Sequence, residues 1–102
     1  MGGSQDIRRV QDVVAARFGV PAGDLVSHRR SRDLVIPRLI AVYLSRTLCE
    51  APYEQIGQEF GGRDRTIVQM YCRTISRRMD EDADFASLIR EVAQCIVGTD
   101  KL

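Results

Sequence analysis

The chain has 102 residues and a formal net charge of +1, which is one domain's worth of sequence with no overall sign of a nucleic-acid partner. Three widely spaced cysteines and one histidine exclude a disulfide framework, a zinc finger and a His-based catalytic triad. The sequence also lacks a Walker A motif, a signal peptide and any apolar run of about 18 residues. We therefore expect a cytoplasmic, non-enzymatic domain with no metal, cofactor, small-molecule substrate or membrane span.

The apolar residues recur at helical spacing along the whole chain, which predicts an all-α compact bundle of about six helices. The first helix is predicted over about residues 5–18, with Gly19 as its stop. A turn or one short helical turn over residues 21–26 and a polar loop over 28–32 lead to a long central helix over 33–49. Pro37 is acceptable in that helix if it lies in the first turn, where its missing N–H has no intrahelical partner.

Three further helices complete the predicted bundle. A short helix over residues 52–60 is followed by a tight turn at Gly61-Gly62 and a longer helix over 64–79. The last helix is predicted over 82–96. We expect a disordered leader at residues 1–4, a domain over 5–97 and a frayed end over 98–102.

Charge is distributed unevenly along the sequence. Residues 29–78 carry ten basic and five acidic side chains, whereas residues 79–102 carry two basic and six acidic ones. Every basic residue except Lys101 is an arginine. The net charge of +1 therefore conceals a basic middle and an acidic end.

A short helix, a glycine turn and a longer helix with a basic start are typical of a helix-turn-helix. In that motif the second helix enters the DNA major groove and reads bases with its first residues. Here those residues are Arg63, Asp64, Arg65 and Thr66. Arginine suits guanine O6 and N7, aspartate suits cytosine N4, and threonine suits a thymine methyl or a hydrogen bond.

Three stretches of the sequence closely match a known pattern: D-L-V-S-H-R-R-S-R at residues 24–32, P-R at 37–38, and I-G-Q-E-F-G-G-R-D-R-T at 56–66. They resemble the C-terminal DNA-binding domain (domain IV) of DnaA, the bacterial replication initiator, over residues 7–96. The resemblance implies a TrpR-like helix-turn-helix fold and a double-stranded DNA partner. It also implies a role in DNA replication initiation, in the cytoplasm at the nucleoid, and we expect a monomer.

The resemblance implies roles for nine residues. Arg30, the second arginine of the R-R-S-R loop, would enter the minor groove beside the box, where a narrow groove concentrates negative potential. The bases would be read by Arg63, Asp64, Arg65 and Thr66. The backbone contacts and the groove edge would fall to Arg38, Arg46, Pro52 and Tyr53.

The sequence departs from the family pattern at three positions. The family usually has R-D-H-T-T where this chain has R-D-R-T-I at residues 63–67, and Ile36 stands where arginine is frequent. Arg65 for histidine and Ile67 for threonine would either change the base preference or leave binding mainly to phosphates. These departures favour a stand-alone relative over a domain excised from a full initiator.

Other interpretations of the same residues stay open. Asp64 is also suited to cap its helix, and Arg63 and Arg65 to phosphate contacts. As a whole, the chain is alternatively a diverged protein-interaction or regulatory module that has lost box recognition. Its docking face would then be the last helix and the acidic residues before it, Asp80, Glu81, Asp82 and Asp84.

Overall fold

The computed structural model describes residues 3–98, with side chains from Asp6 onward. Its helices are α1 (Gly3–Phe18), α2 (Ala22–Val26), α3 (Arg32–Cys49), α4 (Tyr53–Glu59), α5 (Arg65–Glu81) and α6 (Ala83–Val97). The predicted all-α bundle of about six helices is confirmed, and each boundary lies within two residues of its prediction. The expected leader and frayed end fall largely outside the described residues and remain predictions.

Helix α3 is the centre of the bundle, because it packs against each of the other five helices. Its sequence is apolar on several sides, so one helix can supply buried residues to several neighbours. The core around it includes Ile7, Val10, Val14, Leu25, Ile40, Val42, Leu44, Ile56, Phe60, Val68, Ile75, Phe85, Ile89 and Val92. Burial of each such side chain is worth about 1.5–3 kcal/mol, which accounts for a fold of this size without disulfides.

Pro37 does not lie in the first turn of the long helix, and that condition of the prediction is wrong. Helix α3 begins at Arg32, so Pro37 falls in the second turn, and its ring is buried. Proline has no N–H to donate to the Asp33 carbonyl, four residues earlier. Because Asp33 is exposed to solvent, water can satisfy that carbonyl, and the helix continues through the proline.

The buried polar side chains are hydrogen-bonded, either across helices or within one. Gln11 of α1 donates its amide N–H to the Glu59 carbonyl of α4 over 2.9 Å. Ser45 donates its hydroxyl to the Ala41 carbonyl one turn earlier in α3. Within residues 6–98, every buried side-chain nitrogen or oxygen has a hydrogen-bond partner. None of the helices formed by residues 3–98 combines the length and the apolar character that crossing a membrane requires.

Candidate nucleic-acid interface

The turn between α4 and α5 is built around one carbonyl oxygen. The carbonyl of Gly57 accepts hydrogen bonds from the backbone N–H groups of Phe60, Gly62 and Arg63, at 3.2, 3.0 and 2.8 Å. Gly61 and Gly62 follow α4 with φ of +79° and +78°, a conformation that glycine adopts without strain. Phe60 is fully buried and anchors the turn in the core. The predicted helix-turn-helix is therefore present, with α5 as its second helix.

Gly57 also allows the two helices of this motif to approach closely. A Cβ atom at this position would overlap the backbone carbonyl of Arg63, just before α5. The backbone of α4 is thus in contact with the segment that starts the next helix. The conformation of the G-G-R-D stretch therefore depends on Gly57 as well as on Gly61 and Gly62.

Arg63 fastens the start of α5 to the end of α2. Its guanidinium donates to the carbonyls of Val26 and Ser27, at 3.3 and 2.8 Å, and to the carbonyl of Phe60. The last carbonyls of a helix have no intrahelical partner, and a cation near them is favourable. Arg63 therefore serves as a cap for α2 from 36 residues further along the chain.

Arg38 caps α2 in the same way, at the two carbonyls before Val26. Its Nε–H donates to the Leu25 carbonyl at 2.8 Å, and a terminal N–H donates to the Asp24 carbonyl at 3.1 Å. The side chain is buried, and desolvation, followed by the nearby charge of Arg63, lowers the pKa of the Arg38 guanidinium. The two arginines thus have an internal structural role that the sequence did not predict.

The basic loop between α2 and α3 is held against the glycine turn. His28 donates its Nε2–H to the Gly61 carbonyl over 2.7 Å, a bond that was not predicted from the sequence. Arg30 lies two residues further on, exposed, with no hydrogen bond or ion pair to residues 6–98. Its guanidinium is therefore available to a ligand.

A cleft of about 340 Å³ joins this loop to the second helix of the motif. It is lined by His28, Arg30, Arg38, Arg63, Ile67 and Tyr71. Three of the predicted DNA contacts, Arg30, Arg38 and Arg63, thus line the same cleft. Ile67 places the first turn of α5 in its wall. The loop and the helix face one shared cationic depression.

The start of α5 presents polar side chains to solvent. Asp64 occupies the N-cap position, but its carboxylate accepts no capping hydrogen bond. Arg65 and Thr66 are exposed, and Ile67 is half-buried. The capping interpretation of Asp64 therefore does not describe its side chain, which stays available for an external donor.

A second group of predicted residues surrounds the start of α4. The Arg46 guanidinium lies 4.3 Å from the centre of the Tyr53 ring and donates to the Ala51 carbonyl at 2.8 Å. Pro52 is exposed at the N-cap of α4. Arg65 of α5 reaches back to this group through an ion pair with Glu54, at 3.1 Å. Glu54 is not among the residues predicted from the sequence, where its signal is an acidic side chain in the first turn of a helix.

Helix α5 carries the charge gradient that the sequence predicted. Along its exposed side, Met70, Arg73 and Arg77 follow Thr66 at helical spacing. At its far end come the exposed carboxylates of Asp80, Glu81, Asp82 and Asp84. The arginines of α5 therefore extend from Arg65 to Arg78, and the carboxylates begin two residues later at Asp80.

The sequence is similar to proteins of one family. The family described as the bacterial dnaA protein helix-turn-helix matches residues 7–75. The chromosomal replication initiator protein DnaA of Lactobacillus delbrueckii subsp. bulgaricus is 42% identical over 90 residues, which cover 88% of this chain and 20% of that protein. DnaA of Methylacidiphilum infernorum is 39% identical over 93 residues, covering 91% of this chain and 20% of that protein.

The chain spans about a fifth of the length of the curated relatives it matches. The match contains the glycine turn, the basic loop and most of α5, which are the elements that form the cationic cleft. By this similarity and by its six-helix fold, the chain belongs to the bacterial DnaA helix-turn-helix family, a family of DNA-binding rather than catalytic domains.

Proposed function

We propose that this chain binds double-stranded DNA with sequence preference, with α5 in the major groove and Arg30 in the adjacent minor groove. The observation that carries the proposal is the shared cleft, in which Arg30 faces the first turn of α5. The Arg63 and His28 hydrogen bonds hold the two elements in a fixed relation. Such a relation is what simultaneous contact with two neighbouring grooves requires.

The first turn of α5 has the chemistry for reading base edges. The uncapped carboxylate of Asp64 can accept from cytosine N4, and Thr66 can contact a thymine methyl or donate its hydroxyl. Arg65 has the forked donors that match guanine O6 and N7. Arg63 donates its hydrogen bonds to backbone carbonyls inside the protein, so its contribution to base reading is to position the turn.

The remaining predicted residues are suited to the DNA backbone. Arg46 is half-buried against Tyr53, which restrains the guanidinium and leaves donors for a phosphate. Arg38 uses two of its nitrogens internally and lines the cleft, where its positive charge favours an anion. Pro52 and Tyr53 would stand at the groove edge. We infer a monomer that acts at the nucleoid in the cytoplasm, on a DnaA-box-like or diverged site in replication initiation.

Fluorescence anisotropy with a labelled DnaA-box duplex and a scrambled duplex tests this proposal at low and at high salt. We expect binding at low salt, an affinity that falls steeply with salt because phosphates are neutralised, and a preference for one sequence. Selection from random duplex DNA would supply the preferred site if it differs from the box. Absence of binding to either duplex at low salt would contradict DNA binding. Equal affinity for selected and scrambled duplexes would contradict the sequence preference.

A further inference from the structure

The ion pair between Glu54 and Arg65 joins the first turns of the two helices of the motif. Arg65 is the first residue of α5, and Glu54 is the second residue of α4. One terminal nitrogen of the guanidinium, Nη1, donates to Oε2 of the carboxylate over 3.1 Å. The pair therefore lies at the position where the proposed function expects base reading.

The pair contributes little to the stability of the fold. The side chains of Arg65 and Glu54 are 53% and 61% exposed, and such surface pairs are worth about 0–1 kcal/mol. Only one of the five N–H donors of the guanidinium is used. The ion pair therefore restrains the orientation of the Arg65 guanidinium and leaves the donors along one of its edges free.

We propose that Glu54 is a positioning residue that makes Arg65 specific for a guanine, an inference that rests on the proposed DNA binding. With Nη1 held by the carboxylate, the remaining donors of Arg65 can meet guanine O6 and N7 together. The restraint also lowers the entropy lost when the side chain binds. Glu54 thus acts on the base through Arg65.

The charge of Glu54 adds a penalty against other sequences. A carboxylate close to the DNA is repelled by phosphates, and an unrestrained Arg65 would be drawn to those same phosphates on any sequence. Holding the arginine on Glu54 therefore weakens sequence-independent binding while it favours one base contact. Specificity of this kind depends on the unfavourable interaction as much as on the favourable one.

The test measures Kd for a duplex that the wild-type protein selects from random DNA, and for that duplex with each base pair replaced in turn. For the wild type we expect one G·C pair whose replacement weakens binding about tenfold or more. Glu54→Gln should shrink that penalty roughly three- to tenfold, and it should strengthen binding to scrambled DNA. In an Arg65→His background, Glu54→Gln should have no effect that is confined to one base pair.

Glu50→Gln is the matched control, because Glu50 is exposed, lies four residues before Glu54 and forms no ion pair with residues 6–98. It should leave the G·C penalty unchanged. The inference is overturned if Glu50→Gln acts like Glu54→Gln, if Glu54→Gln reduces all penalties alike, or if its effect survives Arg65→His. Failure of the wild type to bind any duplex at low salt would instead contradict the proposed function itself.

Discussion

The guanidinium of Arg63 lies 2.8 Å from the carbonyl oxygen of Ser27, although 36 residues separate them in the chain. One partner stands at the start of the basic loop, and the other stands two residues before α5. This contact makes the position of Arg30 depend on the conformation of the glycine turn. The loop and the second helix of the motif therefore form one unit in the proposed interface.

Replacing Arg63 with alanine should destabilise the fold. The substitution removes charged hydrogen bonds to three carbonyls and leaves part-buried acceptors without a partner. We expect the free energy of unfolding to fall by about 2–3 kcal/mol, as measured by urea denaturation followed by circular dichroism. Arg63→Lys should restore only part of this loss, because an ammonium lacks the planar fork. A change below about 0.5 kcal/mol in Arg63→Ala would contradict the capping role.

Arg30→Ala should leave the folding stability nearly unchanged and weaken DNA binding. Arg30 contacts no hydrogen-bond partner within residues 6–98, so the free energy of unfolding should change by less than about 0.5 kcal/mol. DNA affinity should fall by about 1–3 kcal/mol in anisotropy titrations if the side chain enters the minor groove. Arg90→Ala is the matched control, since Arg90 is exposed on α6, away from the cleft. Equal losses of affinity in the two variants would show that net charge alone is responsible.

The two N-cap aspartates of α5 and α6 should respond differently to substitution. Asp82 accepts the backbone N–H of Phe85, so Asp82→Ala should cost about 1 kcal/mol of folding stability. Asp64 makes no such bond, and Asp64→Ala should cost less. In DNA titrations, Asp64→Ala and Thr66→Ala should reduce the preference for the selected site more than the overall affinity. A larger stability loss in Asp64→Ala than in Asp82→Ala would contradict this assignment.

Gly57→Ala should be among the most damaging small substitutions in the motif. Its new Cβ atom would overlap the Arg63 carbonyl, so the turn or α5 must shift, at a cost of about 1–3 kcal/mol. Gly23→Ala is the control, because a Cβ built there meets no atom within 4 Å beyond its chain neighbours and the backbone of its own helix, and alanine favours the helical conformation. Thermal denaturation should show a lower Tm for Gly57→Ala and an equal or higher one for Gly23→Ala. A Tm unchanged by Gly57→Ala would contradict the close approach of the two helices.

The three cysteines should react with thiol reagents at different rates. Burial raises the pKa of the Cys49 thiol, with a further rise from the charge of Asp6, and burial raises the pKa of Cys72 despite Arg46. At neutral pH these two thiols therefore hold less reactive thiolate than an ordinary cysteine, and they are partly shielded. Mass spectrometry during iodoacetamide treatment should find Cys95 alkylated first, with Cys49 and Cys72 accelerating only at alkaline pH. Equal rates at neutral pH would contradict this order.

The five longer predicted helices could be recognised in the sequence because their apolar residues recur at helical spacing and a glycine or proline stands near an end of each. The burial of the Pro37 ring in the second turn of α3 could not, since it depends on tertiary packing and on an exposed Asp33 whose carbonyl water can reach. The hydrogen bonds that Arg38 and Arg63 form inside the protein could not be predicted either. Their acceptors are backbone carbonyls at the end of α2, which any sequence would provide.

In the candidate site, too, some features could be predicted from the sequence and others could not. The order of residues along α5 predicts which side chains stand in its first turn, and the structure places them exposed there. The ion pair of Arg65 with Glu54 depends on how α4 and α5 cross, as does the bond of His28 to Gly61. Such contacts follow from tertiary packing, and no spacing within the sequence indicates them.

The most direct test of the proposed interface is a titration of the ¹⁵N-labelled protein with the selected duplex, followed by NMR chemical-shift changes. We expect the largest changes at Arg30, Tyr53 and residues 64–67, with little change in α6. Changes concentrated at the acidic residues around Asp82 and Asp84, with Arg30 and residues 64–67 unaffected, would contradict it.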